Sequence, residues 1–210
     1  MDQQTTKLVE KGEMLPLMEA FDSIQGEGHH SGKSAYFLRI GGCDVGCHWC
    51  DVKESWDAEL HPPTHINDMM EGLLSQSSET VVVTGGEPLM WNMQPLTDLL
   101  HQNGLQVHIE TSGAYPLSGF FDWICLSPKK TMPPKKDLLV HANELKVIIH
   151  NQHDFKWAEE NAAQVGDHCR LFLQPEWSKA SEMMEDIVAY VKENPDWSVS
   201  LQTHKYMNIP

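Results

Sequence analysis

The sequence predicts an α/β protein built on an incomplete, TIM-like barrel of mostly parallel strands. Seven runs have strand character, at 36–40, 80–84, 105–110, 122–127, 144–149, 169–174 and 198–202. Most are continuously apolar rather than alternating, as expected of parallel strands that are buried on both faces. Strand–helix alternation predicts right-handed crossovers, and four helical patterns are too few for a complete eightfold barrel.

Four segments are predicted to be helices because they lie between predicted strands and are followed by residues that end helices. They lie at 66–75, 95–103, 154–164 and 181–193, and the last three are followed by Gly104, Gly166 and Pro195. Two other segments are predicted to be loops, 112–120 and 128–143. The second reads PKKTMPPKKDLLVHAN, with four lysines and three prolines. It is either an ordinary solvated loop or a cationic cover for a carboxylate.

Length and composition indicate a single globular domain over residues 1–210; the family resemblance described below implies 21–210 as its core, with 1–20 as an extension or edge element. The formal net charge of −15 argues against a protein that binds the phosphate backbone of nucleic acid, and it suits a small substrate. No apolar run approaches the roughly 20 residues of a membrane span. The amino-terminal sequence lacks a signal-peptide pattern, so a cytoplasmic location is expected.

Polar clusters follow five of the predicted strands at their carboxyl ends. TGGEP follows ETVVV, ETSG follows LQVHI, SPKK follows FDWICL, QPEW follows CRLFL, and QTHKY follows WSVSL. The carboxyl ends of parallel strands form one rim, where ligands bind in α/β proteins. We therefore expect these clusters to converge on an active site.

Three cysteines lie within the octet CDVGCHWC at 43–50. Cys43, Cys47 and Cys50 offer a metal three thiolates, a distribution that favours metal binding over a disulfide in a cytosolic chain. Zinc would take a fourth ligand such as His48 or Asp51, whereas an iron–sulfur cube would be left with one open iron. Spacing alone leaves both open. The remaining cysteines, Cys125 and Cys169, lie in apolar runs and are predicted to be inert core residues.

The cysteine spacing, with Trp49 before the last cysteine, resembles the signature of radical S-adenosylmethionine (SAM) enzymes. Gly85-Gly86-Glu87-Pro88 matches that superfamily's second motif. The chain further resembles the 7-carboxy-7-deazaguanine synthases, which have a pared-down version of the radical SAM barrel. That resemblance covers residues 21–210 and is carried by SIQGEG (23–28), FLR (37–39), CD (50–51), SW (55–56), ETSG (110–113), SPK (127–129), ELK (144–146) and 204–210.

The resemblance implies a [4Fe–4S] cluster on Cys43, Cys47 and Cys50. Its open iron would hold S-adenosyl-L-methionine, and reductive cleavage would give a 5′-deoxyadenosyl radical that abstracts hydrogen, so no side chain is expected as the acid or base. Glu87 would accept from the SAM ammonium group. The implied SAM site comprises Trp49, Asp51, Gly85, Gly86, Glu87, Ser127, Pro128, Lys129, Gln174, Pro175 and Glu176.

The implied substrate is 6-carboxy-5,6,7,8-tetrahydropterin. Hydrogen abstraction at C6, ring contraction and loss of ammonia would give 7-carboxy-7-deazaguanine, a precursor of queuosine and related modified bases of tRNA. Glu27 would face the pterin edge, Arg39 would pair with the substrate carboxylate, and the terminal carboxylate at Pro210 would close over the substrate. The implied substrate site comprises Ile24, Gln25, Gly26, Glu27, Gly28, Arg39, Thr84, His204 and Pro210.

One position departs from the family pattern. Relatives commonly have threonine after Cys-Asp, and its hydroxyl helps to bind Mg²⁺, whereas this chain has Val52. Water, Asp51 or Ser55 could compensate, and we expect reduced magnesium stimulation. The resemblance also implies a homodimer and a flavodoxin- or ferredoxin-type electron donor. Two rival hypotheses are an activase for a glycyl-radical enzyme and a zinc-stabilised binding module.

Overall fold

A computed structural model describes residues 2–73 and 76–210. Its strands are β1 (Met14–Ile24), β2 (Ser34–Ile40), β3 (Pro63–His65), β4 (Thr80–Gly85), β5 (Gln106–Thr111), β6 (Trp123–Leu126), β7 (Glu144–Ile149), β8 (Arg170–Pro175) and β9 (Trp197–Val199). Its α-helices are α1 (Gln3–Lys11), α2 (Ile66–Leu73), α3 (Gln94–Gln102), α4 (Lys136–His141), α5 (His153–Ala162), α6 (Ala180–Glu193) and α7 (Thr203–Met207). None of these helices is long and apolar enough to cross a membrane.

The strands of the described residues form one open sheet in the order β3-β1-β2-β4-β5-β6-β7-β8-β9. Every pair from β2 to β9 is parallel, and β1 runs antiparallel to both β2 and β3. The two edges do not meet, so the prediction of an incomplete barrel of mostly parallel strands is confirmed.

Alternate residues of the sheet pack outward against the helices. Val81, Val83, Val107 and Ile109 are fully buried in one hydrophobic core, and Ala158 of α5 is buried in the same core. Because successive strand residues point to opposite faces, the residues between them face the inside of the half-barrel. These inner residues include charged ones, which are described below.

Several predicted elements need correction. The seven predicted strands are present, although the last spans Trp197–Val199 rather than 198–202, because the chain turns there toward α7. The antiparallel strands β1 and β3 were not predicted; β1 contains Pro16 and mixed polar residues, and β3 is three residues long. β1 also crosses the boundary between 20 and 21 that was expected to separate an extension from the core.

The segment 128–143 is not wholly a loop, since its second half forms α4 directly after two prolines. The helices α1 and α7 were also not predicted. α1 begins at the Asp2 cap, whose side chain accepts from Gln4 and Thr5, and it ends at left-handed Gly12. Of the helix predicted over 66–75, the last two positions lie outside the described residues.

Candidate active site

A cavity of about 230 Å³ opens at the carboxyl ends of the parallel strands. The ETSG cluster contributes Glu110, Thr111 and Ser112 to the lining. Seventeen further lining residues had been singled out individually from the sequence, some of them in the TGGEP, SPKK and QPEW clusters. They are Glu27, Arg39, Cys43, Cys47, Trp49, Cys50, Asp51, Val52, Thr84, Gly85, Gly86, Glu87, Ser127, Lys129, Gln174, Pro175 and Glu176. The fifth cluster contributes Gln202. The predicted convergence at the rim is therefore present.

Gly85 and Gly86 bring the end of β4 against the loop that carries the cysteines. The Gly86 amide donates to Ile40 O (2.8 Å) and the Glu87 amide donates to Gly42 O (2.8 Å). A Cβ on Gly85, whose φ is +131°, would lie 2.1 Å from Ile40 O, and one on Gly86 would lie 2.3 Å from Gly42 O. Both glycines are needed because two backbones meet here.

The three cysteines are free, half-buried thiols that line the same cavity. Within the described residues, no three His, Cys, Asp or Glu side chains converge as the ligands of one metal ion would. In an iron–sulfur cluster each thiolate binds a different iron, so three thiols that line one cavity can hold such a cluster. Burial raises the pKa of Cys43 and Cys47. The donor set therefore fits an iron–sulfur cluster.

Glu87 is almost completely buried, and its carboxylate is fully used within the protein. One oxygen accepts from Thr111 Oγ1 (2.5 Å) and from the Leu89 amide (3.1 Å). The other accepts from both the amide (2.8 Å) and the hydroxyl of Ser112. A carboxylate has about four acceptor sites. Glu87 therefore ties β4 to the end of β5, in addition to lining the cavity where it was predicted to receive the SAM ammonium group.

Lys129 lies between the cysteine loop and the end of β6. Its Nζ donates to Ser127 O (2.5 Å) and Ser127 Oγ (2.7 Å), and it lies 5.5 Å from the centroid of the Trp49 ring. Burial lowers the pKa of Lys129, although the neighbouring Cys47 opposes this. The residues Ser127, Lys129 and Trp49 thus form one side of the cavity. Pro128 does not line it.

A buried ion cluster forms the floor of the cavity. Lys146 Nζ lies 2.6 Å from Glu27 Oε2 and 2.8 Å from Glu110 Oε2. Gln202 donates to the other oxygen of Glu27 (2.9 Å), and Gln25 donates to the other oxygen of Glu110 (3.2 Å). Burial works against ionisation of Glu27, but the Lys146 charge prevails and lowers the pKa of Glu27 to about 2.

Arg39 faces the cavity from β2 but is already paired. Its Nε lies 2.5 Å from Glu19 Oε1, and its guanidinium carbon lies 5.7 Å from the centroid of the Phe21 ring. The Nε is also buried without a properly angled hydrogen bond, so the contact with Glu19 is ionic rather than directional. The structure thus adds an acidic neighbour to the arginine predicted to bind the substrate carboxylate.

The oxygens expected to replace the missing threonine hydroxyl are engaged elsewhere. Ser55 is buried and donates to Val52 O (2.6 Å). Asp51 pairs with Lys205 (2.8 Å). Val52 itself presents only an apolar side chain to the cavity. These residues do not fit a magnesium ion, because Mg²⁺ prefers oxygen ligands in near-octahedral geometry.

Six of the predicted substrate residues do not line the cavity. They are Ile24, Gln25, Gly26, Gly28, His204 and Pro210. His204 packs on Gly26, where a Cβ would lie 2.2 Å from its Nδ1, and burial lowers its pKa. Pro210 is exposed, and its backbone oxygen accepts from Ser23 (3.2 Å).

Sequence reasoning assigned no site role to several residues that line the cavity. They are Val45, Trp56, Glu110, Thr111, Ser112, Lys146, Ile148, Trp177 and Gln202. For Lys146 a signal was present, because ELKVII places two charges two residues apart in an otherwise apolar strand. Residues at that spacing share one face of a strand. For Trp177 and Gln202, only the folded chain shows that these particular side chains reach the cavity.

Comparison with known proteins agrees with this geometry. Residues 38–124 match the model of the radical SAM superfamily. The chain is 63% identical over 202 residues to the 7-carboxy-7-deazaguanine synthase of Flavobacterium psychrophilum, covering 96% of each chain. It is 47% identical over 194 residues to that of Synechocystis, covering 92% of this chain and 93% of the relative. The crystal structure of QueE from Escherichia coli superposes with a TM-score of 0.83 at 28% identity, covering 97% of this chain and 100% of that one.

Proposed function

This chain belongs to the 7-carboxy-7-deazaguanine synthases of the radical SAM superfamily, and we propose that it converts 6-carboxy-5,6,7,8-tetrahydropterin to 7-carboxy-7-deazaguanine and ammonia. The observation that carries the proposal is the shared cavity. Three free thiols and the Gly85–Gly86 turn line one part of it, and the partly buried carboxylates Glu27 and Glu110 line another.

At the cofactor end, Cys43, Cys47 and Cys50 would hold the [4Fe–4S] cluster. When bound, the cluster and S-adenosyl-L-methionine together supply the 5′-deoxyadenosyl radical that starts the reaction. The side chains that line this end give it shape and exclude water: Trp49 offers an aromatic face, and Lys129 offers a charge. Since the Glu87 carboxylate already accepts four hydrogen bonds, its first role is to hold Ser112 and Thr111 beside the cavity.

At the substrate end, the chain supplies acceptors and one cation. A pterin ring presents N–H donors along its pyrimidine edge, and ionised carboxylates such as Glu27 are suited to accept them. Arg39 is suited to the substrate carboxylate, which would compete with Glu19 for the guanidinium group. Thr84 lies beside Arg39 in the register of β2 and β4, so it faces the same part of the ligand.

Magnesium is not required by this donor set. Val52 has no oxygen in its side chain, and both Ser55 and Asp51 have partners within the protein. Arg39 is then the cation offered to the substrate carboxylate, while Lys146 pairs with Glu27 and Glu110. We therefore propose weak magnesium dependence.

The proposed reaction needs one electron for each cleavage of the cofactor, which a flavodoxin- or ferredoxin-type donor would supply. The product would enter the synthesis of queuosine or another modified base of tRNA. A homodimer is the assembly expected for this chain, and light scattering of the holoenzyme measures it directly.

The test is turnover under anoxic conditions. The reconstituted protein, supplied with reductant and S-adenosyl-L-methionine, is expected to bind about four irons and four sulfides per chain and to convert the pterin without any partner protein. Variants with Cys43, Cys47 or Cys50 replaced by alanine should form no 5′-deoxyadenosine. The proposal is refuted if the pterin is converted only when a glycyl-radical enzyme is added. It is also refuted if the purified protein is colourless and contains zinc instead of iron.

A further inference from the structure

Lys146 is the most deeply buried cation among the described residues that line the cavity, and no catalytic step described above uses it. Its side chain is 3% exposed on the inner face of β7. It reaches two carboxylates that come from separate parts of the chain, Glu27 after β1 and Glu110 in β5. All three residues line the cavity. An isolated ammonium group is very costly to bury, and the two carboxylates at contact distance from Lys146 offset that cost.

We propose that Lys146 is a positioning residue that holds Glu27 and Glu110 as a fixed pair of hydrogen-bond acceptors for the N–H edge of the pterin. The inference rests on the proposed function, because its ligand is the proposed substrate. The two carboxylates are also fixed from outside, since Gln202 holds Glu27 and Gln25 holds Glu110. A substrate would therefore meet acceptors that are already oriented, and it would lose little affinity to their reorganisation.

The charge of the cluster is as important as its geometry. Two carboxylates in one buried site cannot both stay ionised without a counter-ion, and one of them takes up a proton. A protonated carboxyl group becomes a donor at one oxygen. Lys146 prevents this, because the negative groups around it outweigh the effect of burial and raise its pKa well above its usual value.

Other titratable groups face the cluster of Lys146, Glu27 and Glu110, and they are present in the wild type and in every variant proposed below. Cys125 on β6 and Glu144 on β7 lie on the inner side of the sheet, and burial raises the pKa of both. His204 and Lys129 face the cluster from α7 and from the loop after β6, and burial lowers the pKa of both. Lys146 also acts on the pKa of each of these four groups, so a second variant at Glu110 is needed to assign a difference to the Glu27–Glu110 pair.

The test compares the wild type with Lys146→Met, which keeps the length of the side chain and removes its charge. Pterin binding to the holoenzyme is measured by titration calorimetry between about pH 6 and pH 9. We expect the dissociation constant of the variant to rise at least about tenfold near pH 6. The deficit should shrink as the pH rises, because the trapped proton is released and both acceptors return. The wild type should lack this added pH dependence.

A second variant separates charge from packing. In Lys146→Met/Glu110→Gln the like-charge repulsion is gone, so the added pH dependence should disappear even though affinity stays below that of the wild type. The double variant also carries the test if the single variant does not fold. Lys156→Met, at an exposed position of α5, is the matched control and should bind as the wild type does.

Four outcomes decide between the proposals. A wild type that cannot convert the pterin refutes the proposed function itself. If the wild type does convert it, a Lys146→Met variant with unchanged affinity refutes the positioning role. An affinity loss that is equal at all pH values, or a double variant that binds as tightly as the wild type, also refutes it.

Discussion

Successive residues of β7 face two very different surroundings. Leu145, Val147 and Ile149 point outward into the hydrophobic core and are fully buried. Glu144 and Lys146 point inward and are almost as deeply buried, yet both are polar and fully paired. Side chains on the two faces of β7 are therefore buried to a similar extent, but those on the outer face are apolar and those named on the inner face are charged. The functional site lies where the chain buries charge, since such burial is costly unless a ligand or a network uses it.

The largest effect on stability is expected on the outer face. Leu145→Ala should lower the free energy of unfolding by about 2–5 kcal/mol, because it removes buried methyl groups and leaves a cavity. Denaturant unfolding measures the change, and the affinity for pterin should be unaffected. Val188→Ala at an exposed position of α6 is the control and should change stability by less than about 0.5 kcal/mol. Equal losses in both variants would contradict the assigned core.

A smaller loss of unfolding free energy is expected for a substitution of Glu87, at the rim of the sheet. Glu87→Gln keeps the shape of the side chain but places an NH₂ group against the Thr111 or Ser112 donors. At least one buried donor is then unsatisfied, at a cost of about 1–3 kcal/mol in unfolding free energy. Product formation should also fall, because the end of β5 shifts beside the cysteines. Glu185→Gln, at an exposed position of α6, is the control. If Glu87→Gln is as stable as the wild type, the four hydrogen bonds of the Glu87 carboxylate are not needed for stability.

The outer face of the sheet was predictable from the sequence, and the inner face was only partly so. Continuous apolar runs identified all seven parallel strands, because hydrophobic burial on the helix side dominates their composition. β1 was missed because its residues are mostly half-buried and polar, and one side pairs with an antiparallel partner instead of a helix. α4 was missed because six residues give too short a periodic pattern for a helix to be recognised.

The site was predictable where residues act in contiguous motifs. The cysteine octet and Gly85–Glu87 were found because their spacing is itself the chemical requirement. Lys146 and Gln202 could not be assigned, because their roles depend on Glu27, which lies 119 and 175 residues away along the chain. Pairings across such separations are set by sheet order and not by local pattern.

The buried charge on the inner face of the sheet should make the free energy of unfolding depend on pH. Burial raises the pKa of Glu144 above its usual value of 4.5, so the folded state holds the proton more tightly than the unfolded chain does. Its stabilising contribution is therefore present at low pH and is lost as the pH rises through the folded pKa. Glu144→Gln should match the wild type at low pH and become relatively more stable, by no more than about 1 kcal/mol, at neutral pH. Thermal unfolding across this range measures it, and a pH-independent difference would contradict the assignment.

The smallest effect is expected for magnesium, since the cavity wall lacks an oxygen where Val52 stands. After treatment with a chelator, added Mg²⁺ should change turnover by less than about twofold, because Ser55 and Asp51 already have partners within the protein and Val52 has no side-chain oxygen. Strong dependence in the wild type would contradict this.

Val52→Thr is the matched variant, because it adds one hydroxyl at nearly constant volume. It should increase both magnesium stimulation and the Mg²⁺ retained after dialysis, which elemental analysis measures without reference to activity. If the added hydroxyl changes neither, then the Lys205 pair with Asp51 is what prevents a cation from binding there. Lys205→Met in the same background tests that directly, since it leaves Asp51 without a partner beside the new hydroxyl.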